Sequence, residues 1–155
     1  QVSPEEAAEI TPIRVALESL AVQMSVPNLD EQDFARLEGL NREIEEAWAE
    51  MDLAHVRRAN YHFHTALYER CGSDTLCGLI QGLWPRFATD MLWMIPGRTE
   101  SSLQQHQAIL NAAKMRDAEA AAELMANHIS TAGEAIAEFL RLQSAPFPQR
   151  SWTGD

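Results

Sequence analysis

Residues 52–72 read DLAHVRRANYHFHTALYERCG, and the spacing within this stretch decides the fold class. Val56, Phe63 and Leu67 recur at intervals that place them on one face of an α-helix. Asp52 is a suitable N-cap, because its side chain can accept hydrogen bonds from the unpaired N–H groups of a first helical turn. The glycine at the end of the stretch is a suitable helix stop. The stretch therefore predicts an amphipathic helix.

Proline and glycine residues divide the rest of the chain into similar segments, whereas strand-like alternation and hairpin signals are absent. We expect an all-α fold, an antiparallel bundle of about six helices joined by short loops. In the first helix the expected core-facing residues are Ile13, Leu17, Leu20, Ala21 and Met24. The further expected N-caps are Asp30, Ser73 or Asp74, and Asp117. Pro85 is expected to kink the fourth helix.

Length and charge restrict the class of protein. The 155 residues suit one domain with a sizeable core, and the formal net charge is −11. Because DNA binding requires a basic surface that displaces counterions from phosphates, this chain is not expected to contact nucleic acid itself. No uncharged apolar run approaches the roughly 18 residues of a membrane span. Two cysteines without a disulfide framework, and no secretion signal, favour a cytoplasmic location.

Three predicted helices each direct a histidine towards the interior. His64 follows Asn60 by one turn on the face that carries Val56, and His106 and His128 lie among apolar residues of the fifth and sixth helices. A single histidine on an apolar face is usually a hydrogen-bonded core residue. Three on three helices favour a metal site, because neutral imidazole is the commonest metal-binding side chain and three of them suit Zn²⁺.

Other metal and catalytic motifs are absent. A di-iron carboxylate bundle requires Glu-x-x-His, and none of the five histidines is preceded by Glu at that distance. The chain also lacks the HExxH motif, a nucleophile elbow, a P-loop and a Rossmann fingerprint. No Asp or Glu is expected on the inward faces beside the histidines, so the general base that a metal-dependent hydrolase needs is missing.

Four spaced elements resemble the C-terminal effector-binding domain, or FCD domain, of FadR-type regulators in the GntR family. The elements are Arg14-Val-Ala-Leu-Glu-Ser-Leu-Ala21, Asn60-Tyr-His-Phe-His64, Gln105-His106 and Asn127-His128-Ile129. The resemblance covers about residues 10–142. We therefore divide the chain into a lead-in at 1–9, an FCD-like helical bundle at 10–143 with a central metal and ligand cavity, and a loose tail at 144–155.

The resemblance implies a divalent metal, zinc or alternatively nickel, bound by Asn60, His64, His106 and His128. It also implies that Arg14 helps to bind an organic-acid effector beside the metal. A plain surface ion pair between Arg14 and Glu18 is the alternative interpretation. Asn60 replaces the usual Asp, which removes a negative charge from the ligand set.

Arg86 is a second candidate effector residue, although it could equally be a surface residue with a partly buried stem. Trp48, Trp93 and Met94 could serve a dimer interface or pack in the core. Because palindromic operators favour two-fold symmetric proteins, a homodimer is expected.

The predicted function is that of an effector-sensing, metal-dependent, non-enzymatic domain of a transcription regulator. It would bind a small carboxylate and modulate DNA binding by a winged-helix segment outside this chain, a basic segment of about 70 residues ahead of Gln1. A metal-dependent hydrolase-like bundle enzyme and a purely structural bundle with buried histidines are the two alternatives.

Overall fold

The computed structural model describes residues 2–87 and 89–144, and these form seven α-helices and no strand. The helices are α1 Pro4–Ser25, α2 Glu31–Ala49, α3 Leu53–Tyr68, α4 Asp74–Leu83, α5 Thr89–Leu92, α6 Arg98–Lys114 and α7 Ala118–Ser144. Three short 3-10 turns lie at Val26–Asn28, Glu69–Cys71 and Trp84–Arg86. The all-α bundle is confirmed, with α5 as a short addition to the six expected helices. None of the described helices combines the length and apolar character needed to cross a bilayer.

The expected N-caps start the helices where the sequence places them. Asp30 and Asp33 form a reciprocal capping box at the start of α2. Asp52 accepts a hydrogen bond from the first turn of α3, and Ser73 rather than its neighbour caps α4. Asp117 Oδ1 accepts from the third residue of α7. Each cap satisfies N–H groups that the helix cannot pair internally, which fixes the boundaries.

The two terminal helices form the most extensive contact of the bundle. α1 packs along α7, α2 packs against α3, and α6 bridges α2 and α7. Where α1 meets α7, a Cβ atom added to Gly133 would lie 2.2 Å from Thr11 Oγ1. The absence of a side chain at Gly133 therefore allows the two helices to approach closely.

The expected inward face of α1 is only partly right: Ala21 is buried and Leu17 packs against the core, but the other three residues are exposed. Ile13, Leu20 and Met24 are 44%, 45% and 37% exposed, whereas Arg14 and Glu18 are buried in their place. These two charged residues neutralise one another, so they lie on the buried face of α1 together with apolar residues such as Ile10 and Val22.

Proline and terminal positions also differ from expectation. Pro85 does not kink a continuous helix: α4 ends at Leu83, and Pro85 lies in the 3-10 turn that follows. α1 begins at Pro4, so the stretch expected as a lead-in is largely helical. The expected loose tail lies, beyond Ser144, outside the described residues.

Candidate metal centre

Three buried histidines from three helices meet in the interior. His64 comes from α3, His106 from α6 and His128 from α7. His128 Nε2 lies 3.3 Å from His106 Nε2 and 3.3 Å from His64 Nε2. The three candidate ligand atoms all lie within 4.8 Å of one another. The sequence prediction that these histidines point inward is confirmed.

The other ring nitrogen of each histidine is hydrogen-bonded to a different outer partner. His64 Nδ1 lies 2.9 Å from the Tyr68 hydroxyl, His106 Nδ1 lies 3.0 Å from Asn41 Oδ1, and His128 Nδ1 lies 2.7 Å from Gln105 Oε1.

An amide oxygen only accepts hydrogen bonds, so Nδ1 of His106 and of His128 carries the proton. Their Nε2 lone pairs are therefore left facing the centre of the cluster. Outer partners of this kind fix the tautomer and the ring orientation of metal ligands.

Burial keeps these imidazoles neutral. It lowers the pKa of His106 to about 3, and the buried guanidinium of Arg98 acts in the same direction. Burial, followed by the neighbouring histidines, lowers the pKa of His64 and of His128 well below the usual value. A metal ligand must be unprotonated, so these three side chains are in the required state at neutral pH.

The donor set fits a tetrahedral divalent ion. Nitrogen ligands at 2.0–2.1 Å from Zn²⁺ would be about 3.3–3.4 Å apart, and two of the three Nε2 pairs are separated by 3.3 Å. Three converging lone pairs also repel one another unless a cation or a shared proton lies between them. The geometry is therefore compatible with a bound divalent metal ion.

A small cavity lies beside the histidines. Its volume is about 20 Å³, enough for roughly one water molecule or ion. Its lining residues are Arg14, Asn60, His64, Trp84, Phe87, Leu92, His128, Ile129 and Ala132. Asn60 is buried there, so it shares the cavity with two of the histidines. Acidic residues are absent from this lining, as far as the described residues extend.

Arg14 lies in this cavity, beside the cluster. Its Nε donates a hydrogen bond of 2.6 Å to Glu18 Oε1, and the pair is almost fully buried. The guanidinium carbon lies 4.0 Å from the ring centre of Phe87 and 4.8 Å from that of Trp84. The ion pair of the alternative interpretation exists, but it is buried rather than at the surface. Among the described residues, the two terminal guanidinium nitrogens have no hydrogen-bond partner.

Arg86 is not brought to the cluster. Its side chain is 54% exposed and pairs with Glu6 at 3.2 Å. The 3-10 turn that follows α4 explains this position, because it buries Trp84 and Phe87 and leaves Arg86 at the surface. The expectation that Arg86 lies beside an interior ligand is therefore not supported by the fold.

Glu18 is the residue that the sequence analysis missed. The expectation that no acidic residue lies beside the histidines is wrong: Glu18 is 1% exposed, and its Oε2 lies 3.7 Å from His64 Nδ1. Oε2 also accepts a hydrogen bond from the Tyr68 hydroxyl. Both oxygens are thus occupied, one by Arg14 and one by Tyr68, so this carboxylate is not free to act as a general base. The i, i+4 spacing of Arg14 and Glu18 was the available signal.

A second group of polar residues supports His128. The Arg98 guanidinium is buried and lies 3.2 Å from Gln105 Oε1, the oxygen that accepts from His128. It also lies 3.5 Å from the His128 carbonyl oxygen and 3.4 Å from Thr131 Oγ1. Burial lowers the pKa of Arg98. The interior therefore contains two arginines, only one of which has a carboxylate partner among the described residues.

A larger groove lies elsewhere. It has a volume of about 630 Å³, runs between α1 and α7, and is lined by residues such as Pro12, Glu134 and Arg141. None of the proposed metal ligands borders it. The small cavity, by contrast, is lined by His64, His128 and the buried Arg14.

Comparison with known proteins places this arrangement in a family. The profile of the FCD domain matches residues 9–131. The chain is 30% identical over 138 residues to the HTH-type transcriptional regulator McbR of Escherichia coli, a match that covers 84% of this chain and 62% of McbR. The chain thus spans less than two thirds of that regulator.

Solved structures agree. The structure of E. coli McbR superposes with a TM-score of 0.79 at 27% identity, covering 92% of this chain and 71% of that one. A GntR-family regulator from Pseudomonas syringae superposes with a TM-score of 0.74 at 25% identity. The match covers 90% of this chain and 59% of that one. The metal-free FCD domain of TM0439 superposes with a TM-score of 0.70 at 15% identity, and the match covers 92% of this chain and 99% of that one. At this identity the likeness shows the shared fold alone. The chain therefore belongs to the FCD domain family, the regulatory domains of GntR-type transcription regulators, and not to a family of enzymes.

Proposed function

We propose that this domain binds a divalent metal ion and, beside it, a small organic acid that acts as the effector of a transcription regulator. One observation carries the proposal: three histidine Nε2 atoms converge next to a cavity that also contains the buried guanidinium of Arg14. A metal-binding cluster and an anion-binding side chain in one enclosed space form a site for a metal-bound carboxylate.

The proposed metal ligands are His64, His106 and His128, with the amide oxygen of Asn60 as a fourth. The proposed ion is zinc, with nickel as the alternative, because both accept imidazole nitrogen. When bound, the ion supplies a positive charge and an open coordination position. Asn60 leaves that charge uncompensated, which favours an anionic partner.

The electrostatics of the cavity favour a carboxylate. Arg14 lines it and Arg98 lies behind His128, whereas the one buried carboxylate among the described residues is Glu18, which is already paired with Arg14. Arg14 has terminal nitrogens available for a charge-assisted, two-point contact with a carboxylate.

Effector binding requires the bundle to change shape. The cavity of about 20 Å³ has room for roughly one water, so an organic acid must move its walls apart. Trp84, Phe87 and Leu92 form part of those walls. A ligand that binds only the wider arrangement shifts the protein towards it, which is how binding would be transmitted to an attached DNA-binding segment.

We further propose that the domain acts in the cytoplasm as a homodimer. The exposed apolar side chains of α1, Ile13, Leu20 and Met24, run along one face of the helix, and Leu79 of the neighbouring α4 is 54% exposed. A second copy of this face is the proposed occupant, since a two-fold axis pairs identical apolar stripes. Of the earlier candidates, Met94 is exposed, Trp48 is half-buried and Trp93 lies in the core.

Metal analysis tests the proposal. Protein purified without chelators should contain about one zinc or nickel ion per chain. Removing the metal should lower the melting temperature, and returning it should restore that temperature, because a ligand that binds only the folded state stabilises it. Replacing His106 and His128 together with alanine should abolish this rise. The His62→Ala variant, whose side chain is exposed, should retain it. An equal rise in the double variant would refute the ligand assignment.

A further inference from the structure

Four buried side chains form one continuous hydrogen-bonded chain from the anion-binding arginine to a metal ligand. Arg14 Nε donates to Glu18 Oε1, and the Tyr68 hydroxyl donates to Glu18 Oε2. The Tyr68 oxygen also lies 2.9 Å from His64 Nδ1. Each of the four side chains is more than nine-tenths buried. The two oxygens of a single carboxylate thus connect the arginine with the histidine.

The direction of the hydrogen bonds follows from the proton count. A phenol has one proton, and Tyr68 donates it to Glu18, so the Tyr68 oxygen is left to accept from His64 Nδ1–H. His64 is thereby held in the tautomer whose Nε2 lone pair faces the other histidines. Burial and the adjacent Glu18 raise the pKa of Tyr68 well above its usual value, so the phenol keeps the proton that it donates.

The other two histidines have neutral outer partners. His106 Nδ1 is paired with the amide oxygen of Asn41, and His128 Nδ1 with that of Gln105. Among the described residues, His64 alone of the three is linked to a carboxylate, through one hydroxyl group. The Asn60 side chain beside it is also neutral. Among the described residues, Glu18 is therefore the one buried carboxylate beside the histidine cluster.

We propose that Glu18 and Tyr68 are positioning residues of the metal centre. They fix the tautomer of His64 and increase its basicity through this hydrogen-bonded chain. Outer carboxylates linked to ligand histidines strengthen metal binding about 10–100-fold. This inference rests on the proposed metal site.

Cobalt binding tests the inference, because bound Co²⁺ absorbs visible light and its dissociation constant is obtained by titration. Tyr68→Phe preserves the ring and the Arg14–Glu18 pair but interrupts the chain. It should weaken Co²⁺ binding about 10–100-fold. Tyr61→Phe is the matched control: Tyr61 lies on the same helix and its hydroxyl makes no hydrogen bond to any described residue. It should bind Co²⁺ as the parent protein does.

Nitrogen NMR of the metal-free protein gives a second measurement. His64 should be the Nδ1–H tautomer in the parent protein and should lose that preference in Tyr68→Phe. If Glu18 acts through Tyr68, the Glu18→Gln/Tyr68→Phe double variant should bind Co²⁺ no more weakly than the weaker single variant, because both changes break one chain.

An unchanged dissociation constant or an unchanged His64 tautomer in Tyr68→Phe overturns the inference while the metal site stands. A parent protein that binds no Co²⁺ overturns both. Glu18→Gln leaves the Arg14 charge without a counter-charge, so its folding is checked by circular dichroism. If Glu18→Gln does not fold, the Co²⁺ dissociation constants of Tyr68→Phe and Tyr61→Phe alone decide whether the inference holds.

Discussion

Gly133 of α7 faces Thr11 of α1 with no space for a side chain between them. A Cβ atom on Gly133 would lie 2.2 Å from Thr11 Oγ1 and 2.9 Å from Thr11 Cβ. Thr11 cannot turn away cheaply, since its hydroxyl donates to the Ala7 carbonyl at 2.7 Å. Gly133→Ala should therefore lower the free energy of unfolding by about 1–3 kcal/mol, the usual cost of overpacking. Urea denaturation measures this.

The control is Gly39→Ala on α2, where nothing lies within 4 Å of an added Cβ. That change should stabilise the protein by up to about 1 kcal/mol through helix propensity. Thr11→Ala should partly rescue Gly133→Ala, because it removes the two closest atoms. A Gly133→Ala variant as stable as the parent would show that α1 and α7 can separate without cost.

Arg14 should control anion binding without controlling metal content. Arg14→Gln removes the charge beside the cavity, so binding of malate, pyruvate or another small carboxylate to the metal-loaded protein should weaken at least about tenfold. Calorimetry measures the affinity, and elemental analysis should still find the metal. Arg86→Gln, at an exposed position, is the control. Carboxylate affinity that falls equally in both variants would argue against an anion site at Arg14.

The stability of the metal-free domain should depend on pH in a defined window. The folded pKa values of His64, His106 and His128 lie below the usual 6.5, so the unfolded chain binds more protons between those values and 6.5. Stability should therefore be fully present above about pH 6.5 and should fall as the pH decreases below it, by up to about 1.4 kcal/mol per pH unit for each histidine.

Urea midpoints measured between pH 5.5 and 7.5 check this slope. His106→Gln should reduce the slope of stability against pH by the contribution of about one proton. His62→Gln, at the surface, should leave the slope unchanged. A stability that is independent of pH across the window would mean that the buried imidazoles share or retain a proton when folded.

The exposed stripe of α1 should govern self-association. Ile13 and Leu20 are both more than two-fifths exposed, so Ile13→Glu together with Leu20→Glu should convert a dimer into a monomer with little loss of helix content. Sedimentation velocity measures the change. Met115→Glu is the control, because this side chain is 81% exposed and lies outside α1. A parent protein that is already monomeric at high concentration would contradict the proposed interface.

Local signals predicted most of the helical framework. Asp30, Asp52 and Asp117 cap the helices that the sequence assigned to them, because a cap depends on residues only two or three positions away. The inward direction of His64, His106 and His128 was predicted for the same reason, since each lies among apolar neighbours at helical spacing.

Tertiary pairing explains what was missed. The buried face of α1 carries Arg14 and Glu18, and an apolar pattern cannot reveal a face whose charges are neutralised by each other. Asn41, the partner of His106, is 65 residues away along the chain. Outer partners at such separations are set by helix packing, so no local pattern identifies them.

The distribution of charge predicts an order of events. The chain has a net charge of −11, yet arginines lie buried beside the histidine cluster. An acidic surface concentrates divalent cations and repels small anions within a Debye length. The ion should therefore associate quickly and the organic acid slowly, with added salt slowing the first step and accelerating the second. A domain of this charge would therefore admit a metal ion more readily than the acid that it is proposed to sense.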